Sequence, residues 1–298
     1  MSITRILLAA MAFTFAASCA STSAPDDAAG AAPALFVARD ADSTMYIYGT
    51  IHLRRSGDAW GAPHVEAALA ESEEIWTEVD LNPASEARAQ TEAMRLGMSP
   101  ETPLSSRLTE EDRQRLAALS QRLGIPVEAL QPMRPWLAAM TLTVVPMMQA
   151  GYDPQAGVDR AVVAWGREHD RTLRWFETPE QQVGFFAEWD EETQVEMLLY
   201  AIEEAEGGVE LINTISEAWD RGDIATLEAE AMTEVRTTYP AVYQRFFVDR
   251  NNSWMETLSR ELDGAGVDFV AVGWGHVTGP DGLVAQLRAR GVRVERVQ

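Results

Sequence analysis

The 298 residues contain no lysine, so all 24 basic side chains are arginines. Schiff-base chemistry and a lysine-bearing phosphate loop are thereby excluded. Cysteine is nearly absent too. Cys19 stands alone, which removes disulfides and thiolate-rich zinc sites and, if it lies in a processed leader, a cysteine nucleophile as well. Positive charge is short against 46 acidic residues, and the net charge of −22 argues against polyanions, nucleic acid among them, as ligands. With 46% hydrophobic and 23% charged residues the proportions are globular, so neither disorder nor a multi-span membrane protein fits. Chemistry is left to carboxylates, arginines, hydroxyls and four histidines, His52, His64, His169 and His276.

The first eighteen residues read as an address. Arg5 supplies a positive start, Ile6 to Ala17 a short apolar stretch, and Ala16-Ala17-Ser18-Cys19 a small-residue end, the pattern of a secretory signal. The stretch is too short and too poorly flanked for a stable spanning helix. Cys19 resembles the acylated cysteine of a bacterial lipobox, with Ala16 where Leu is usual; ordinary cleavage after Ala20 is the alternative. Either route predicts export to the periplasm, and acylation would anchor the chain to the outer membrane, its sole expected membrane contact. Residues 19–33 are a Ser/Ala/Asp/Gly/Pro-rich tether with too little apolar content to fold.

Residues 34–298 form the expected folded domain. Leu35 to Arg39 and Met45 to Tyr48 are β-prone runs joined by Asp40-Ala41-Asp42-Ser43, a predicted hairpin. Helical spacing from Pro63 to Glu73 leads into a third strand, Ile75 to Val79. From about 83 to 262 the pattern is mainly helical, with Ser105 or Thr109 as caps and a β-prone interlude at Thr172 to Phe176. Val267 to Val272 is a continuous apolar strand, Asp281 to Arg290 a helix, and Val292 to Val297 a last strand. The prediction is an α/β fold: a mixed central sheet flanked by helices, with a large helical middle as insertion or cap.

Three strand ends carry the same theme. Met45-Tyr46-Ile47-Tyr48 breaks into Gly49-Thr50-Ile51-His52, and Phe269-Val270-Ala271-Val272 breaks into Gly273-Trp274-Gly275-His276. Each glycine turn delivers an imidazole beyond a strand's carboxyl end, where open α/β sheets bind ligands. The third strand ends in Glu78-Val79-Asp80, and alternation would put Glu78 and Asp80 on one face. Imidazoles with carboxylates suit a first-row divalent ion with open positions. A lone histidine after a glycine turn is commonly just a hydrogen-bonding residue; two such turns among four histidines make chance a poor account.

Tyr48-Gly49-Thr50-Ile51-His52-Leu53, Glu78-Val79-Asp80, Phe176-Glu177-Thr178 with Gln181 or Gln182, Arg250-Asn251, and Val272-Gly273-Trp274-Gly275-His276-Val277 with Gly279, Gly282 and Leu283 together resemble the TraB/GumN family, in its order and across almost the whole mature chain. The resemblance implies a fold similar to erythromycin-esterase and ChaN-like proteins and kinship with the Tiki metalloproteases. It implies His52 and His276 as the central pair, Glu78 as their carboxylate, and Arg250 and Asn251 as polar partners. Trp274 departs from the small residue usual between the glycines, which would narrow the pocket or offer substrate a stacking surface.

Glu177 follows a strand and would reach the same rim, although a carboxylate there is also an ordinary cap for the Thr178-Pro179 turn. Arg250 is placed either to bind a substrate carboxylate or to form a salt bridge in an acid-rich protein. Asp159, in Gly157-Val158-Asp159, reads as a structural residue at a helix start. His64 and His169 read as structural or exposed, and Trp136, Trp165, Trp175, Trp189, Trp219 and Trp254 as core.

The expected chemistry is hydrolysis of an amide or ester in a peptide or small molecule. His52, His276 and Glu78 would hold one manganese, cobalt or zinc ion that acidifies a water, while Asp80 or Glu177 takes the proton. The alternatives are metal-free hydrolysis, in which a histidine and carboxylate pair activates water, and a non-catalytic haem-binding lipoprotein like the ChaN relatives.

Overall fold

In the computed structural model, residues 32–297 are described; the predicted leader, Cys19 and nearly all of the tether lie outside them. Asp40 makes the first turn. Its carboxylate accepts from the backbone N–H groups of Asp42 and Ser43 at 3.2 and 2.8 Å, joining β1 (Leu35–Arg39) to β2 (Ser43–Thr50) as the predicted hairpin. Further strands are β3 (Arg54–Arg55), β4 (Glu74–Val79), β5 (Tyr152–Asp153), β6 (Thr172–Glu177), β7 (Gly266–Gly273) and β8 (Arg293–Val297). Six of them form one sheet in the order β6-β4-β7-β2-β1-β8, and β3 pairs with β5 apart from it.

β6, β4, β7 and β2 are mutually parallel neighbours, whereas β1 runs antiparallel to both β2 and β8. The sheet is therefore mixed and flanked by helices, as predicted. Period-two alternation feeds two cores. Tyr46, Tyr48, Phe269 and Ala271 enter one, and Met45, Ile47, Val270 and Val272 enter the other, which explains why β7 reads as an unbroken apolar run. Trp254, Leu258, Leu283 and Leu287 cover the second face from the helices Asp249–Leu262 and Leu283–Ala289.

The long helical span delivers β6 to the sheet, so it is tied to β4 rather than detached. Its helices begin where short polar side chains satisfy free N–H groups: Asn82 before Pro83–Gly97, Thr109 before Glu110–Leu123, and Asp190 before Glu191–Gly207. Two single π-helical stretches, Glu228–Met232 and Gln244–Val248, interrupt the later helices. One core expectation fails. Trp175 is 46% exposed, because β6 is an edge strand with one open face, while Trp136, Trp219 and Trp254 are buried as expected and Trp165 and Trp189 pack partly buried against the core.

The two glycine turns touch. A Cβ on Gly49 would lie 2.8 Å from Trp274 Cβ and 2.9 Å from its Cα, and the Gly49 carbonyl accepts the Trp219 indole N–H at 2.7 Å. Trp274 is buried in the core, so it locks the turns together instead of offering the stacking surface anticipated for it. Gly49→Ala must displace backbone, and an expected loss of about 1–3 kcal/mol should appear as a lower urea midpoint at an unchanged slope.

Candidate functional site

The carboxyl ends of the four parallel strands form one rim. Thr50 pairs with Gly273 and Val79 with Glu177, so the glycine turns of β2 and β7 and the acidic ends of β4 and β6 arrive side by side. Arg250, on the helix Asp249–Leu262, reaches into this rim. It is 3% exposed, and its five N–H groups are all engaged. Nε and Nη2 grip the two oxygens of Glu177 at 2.7 and 2.8 Å; Nη2 also donates to Glu78 Oε2 at 2.6 Å. Nη1 donates to the Phe246 carbonyl at 3.3 Å and to His276 Nε2 at 3.0 Å.

The carboxylates are satisfied on their other sides. Glu78 Oε1 accepts the Gly273 N–H at 2.7 Å. Glu177 also receives Trp254 Nε1 at 3.0 Å and Gln182 Nε2 at 3.1 Å. Burial alone would raise the Glu78 pKa, but the Arg250 charge, with help from both imidazoles and the Gly273 N–H, holds it down at about 2.

His276 is a neutral imidazole of defined tautomer. Asn251 spends its amide N–H groups on the carbonyls of His276 and Asp281, at 3.3 and 2.9 Å, so its Oδ1 accepts from His276 Nδ1 at 2.8 Å. The remaining lone pair, on Nε2, accepts from Arg250. Complete burial and then the adjacent guanidinium push the His276 pKa down to about 3.

His52 is different. Its Nδ1 meets Asp159 Oδ1 at 3.1 Å, whereas Nε2 is buried without any hydrogen-bond partner. Burial lowers its pKa, yet the Asp159 charge and hydrogen bond, with Glu78, outweigh that cost and the net direction is upward. Asp159 stands in the first turn of the helix Val158–Glu168, brought close because Gly157 has no side chain. A Cβ there would lie 2.7 Å from the His52 carbonyl oxygen and 3.0 Å from Asp159 Oδ1.

His52, Glu78, Glu177, Arg250, Asn251 and His276 thus gather at one rim. Asp80 does not join them. β4 ends at Val79, and beyond the strand the alternation rule lapses. The Asp80 carboxylate turns to the backbone N–H of Asn82 at 3.1 Å and the Ser85 hydroxyl at 3.2 Å, supporting a helix start. His64 contacts the Pro33 carbonyl, and His169 stacks on Trp165, both away from the rim. Asp159, which the sequence places as a structural residue at a helix start, is the carboxylate that meets His52. Its one signal was the glycine two places before it, and its partner lies 107 residues away.

An ion joining His52, His276 and Glu78 does not fit this arrangement. Arg250 occupies the space between His276 Nε2 and Glu78 Oε2, and a second cation against a buried guanidinium would be strongly repelled. Among the described residues, the group of three potential ligands with ligand atoms mutually within 4.8 Å is Glu74, Glu261 and Asp268, and these do not belong to the rim set. With both ring nitrogens engaged, His276 is equally unsuited to be an axial haem ligand.

A model of the TraB/PrgY/gumN family matches residues 34–296, and the chain belongs to that family. No curated protein and no solved structure matches it.

Removing the guanidinium leaves two buried carboxylates uncompensated. Arg250→Met should therefore cost about 3–5 kcal/mol, read from urea unfolding. Stability should also fall with pH in a defined order. A native pKa lowered below its unfolded value contributes stability that is lost on acidification, from about 6.5 toward about 3 for His276 and from 4.5 toward about 2 for Glu78. His52, shifted upward, acts in the opposite sense and only above its unfolded value of 6.5. His276→Gln should flatten the stability profile between pH 6.5 and 4.5; an unchanged slope there would contradict a buried neutral imidazole.

Proposed function

We propose that this TraB/PrgY/gumN protein hydrolyses amide or ester bonds with His52, held by Asp159, as the base that activates water. One observation carries the reading: the lone ring nitrogen left unpartnered at the rim, His52 Nε2, belongs to the imidazole whose other nitrogen is held by a carboxylate. A base so oriented has its tautomer set, with Nδ1–H donated to Asp159 and the Nε2 lone pair free. The rim carries Glu78 and Glu177 against Arg250, with Asp159 beside His52. Its excess negative charge favours the imidazolium that forms when water gives up its proton.

Water oxygen then bonds to the substrate carbonyl carbon, and the proton on His52 Nε2 passes to the leaving nitrogen or oxygen as its bond to carbon breaks. Arg250 Nη1 is the donor best placed to turn toward the developing oxyanion, because it gives up only a neutral imidazole acceptor, whereas Nε and Nη2 stay on carboxylates. Asn251 and His276 position that guanidinium.

The leader pattern supports export, which makes periplasmic peptides and small esters or amides the substrates to screen. The described residues include no helix long and apolar enough to cross a membrane.

In assays of the mature protein against ester and peptide panels, His52→Ala should abolish activity and Asp159→Asn should lower kcat by roughly 10²–10⁴. Because the His52 pKa is raised, kcat/KM should climb with pH through a value above 6.5. Dialysis against a chelator should leave the rate unchanged. Reversible loss, restored by manganese, cobalt or zinc, would replace this mechanism with the metal-dependent one.

A further inference from the structure

A cleft of about 410 Å³ opens along the helix Val158–Glu168, within the size range of small-molecule sites, roughly 300–1,000 Å³. Gly157 forms part of its wall and also abuts His52 and Asp159. Leu81, just past the end of β4, and Trp60 from the loop after β3 contribute apolar surface. Two arginines stand along it, Arg160 and Arg167, seven residues apart on the helix Val158–Glu168 and hence on one face.

Neither arginine is neutralised as Arg250 is. Arg160 Nη1 meets Glu86 at 2.6 Å, but its Nη2 is buried with no hydrogen-bond partner. Arg167 is 45% exposed, with Asp80 no closer than 4.0 Å. The acid on the cleft, Asp58, accepts the Arg55 N–H at 3.3 Å and lies 3.9 Å from Arg54, so its charge is directed elsewhere.

From this we infer that the cleft binds a carboxylate-terminated ligand, the free C-terminus of a short peptide, through Arg160 and Arg167. Guanidinium forks match a carboxylate bidentately, and unspent N–H groups supply what such a ligand needs. In a protein of net charge −22, Arg160 and Arg167 are the basic residues among those lining the cleft and the groups that would select an anionic end group. The backbone upstream of that carboxylate would extend past Gly157 toward His52. This use of the cleft rests on the hydrolase reading; the binding itself does not.

Titration calorimetry on the mature protein with N-acetyl-alanyl-alanine and with its C-terminal amide separates the two. The acid should bind at least roughly tenfold more tightly than the amide, and Arg160→Gln and Arg167→Gln should each weaken it by a similar factor. Arg160→Lys, which keeps the charge but loses the fork and guards against a folding defect, should fall between wild type and Gln. Equal binding of acid and amide, no binding of the acid, or a double Gln variant that binds like wild type would overturn the proposal. Those outcomes leave the role of His52 untouched, since that is decided by turnover.

Discussion

Everything at the rim depends on one guanidinium. Arg250 allows Glu78 and Glu177, from two neighbouring parallel strands, to stay ionised in a nearly water-free interior. Two carboxylates so placed would otherwise repel each other or take up protons. All five donors are spent, and the aromatic faces of Trp254 and Phe185 lie 4.8 and 5.1 Å from the guanidinium carbon. The same group tethers the lone pair of His276 and so decides which imidazole is left free.

Two turns with the same Gly-x-x-His pattern thereby acquire different chemistry. His276 is held between Asn251 and Arg250, entirely buried and neutral. His52 has an anion behind it and a buried Nε2 that makes no hydrogen bond. The contact of Gly49 with Trp274 brings the two segments together, but their backbones differ: Gly49-Thr50 ends a strand, whereas Trp274–Val277 turns into a helix, and the surrounding charges differ as well.

The π-helical stretch Gln244–Val248 links the helical middle to this electrostatic arrangement. It runs directly into the helix that carries Arg250 and Asn251, places the Phe246 carbonyl against Arg250 Nη1, and packs Phe247 at 5.1 Å from the His276 ring. Such stretches cost helical regularity and recur where side chains must be aimed. The span that looked like a cap thus supplies the centre of the site as well as its covering.

Much of this was legible in the residues. Alternation and apolar runs marked the strands, glycine turns marked the two histidines, and the order of motifs marked the family, because each is a local property of the chain. Residues set by distant charge were not legible. Asp159 looked like a helix-start acid until folding set it beside His52, Asp80 looked equivalent to Glu78 until β4 ended before it, and Arg250, read as either a substrate binder or a salt bridge, proved to hold Glu78 and Glu177 at once. The sequence alone determined which strand ends bear imidazoles and carboxylates; the tertiary structure decided which are neutral, which are charged and which remains free. Backbone pattern acts over a few residues, whereas ionisation answers to burial and to whatever charge the fold brings within a few ångströms.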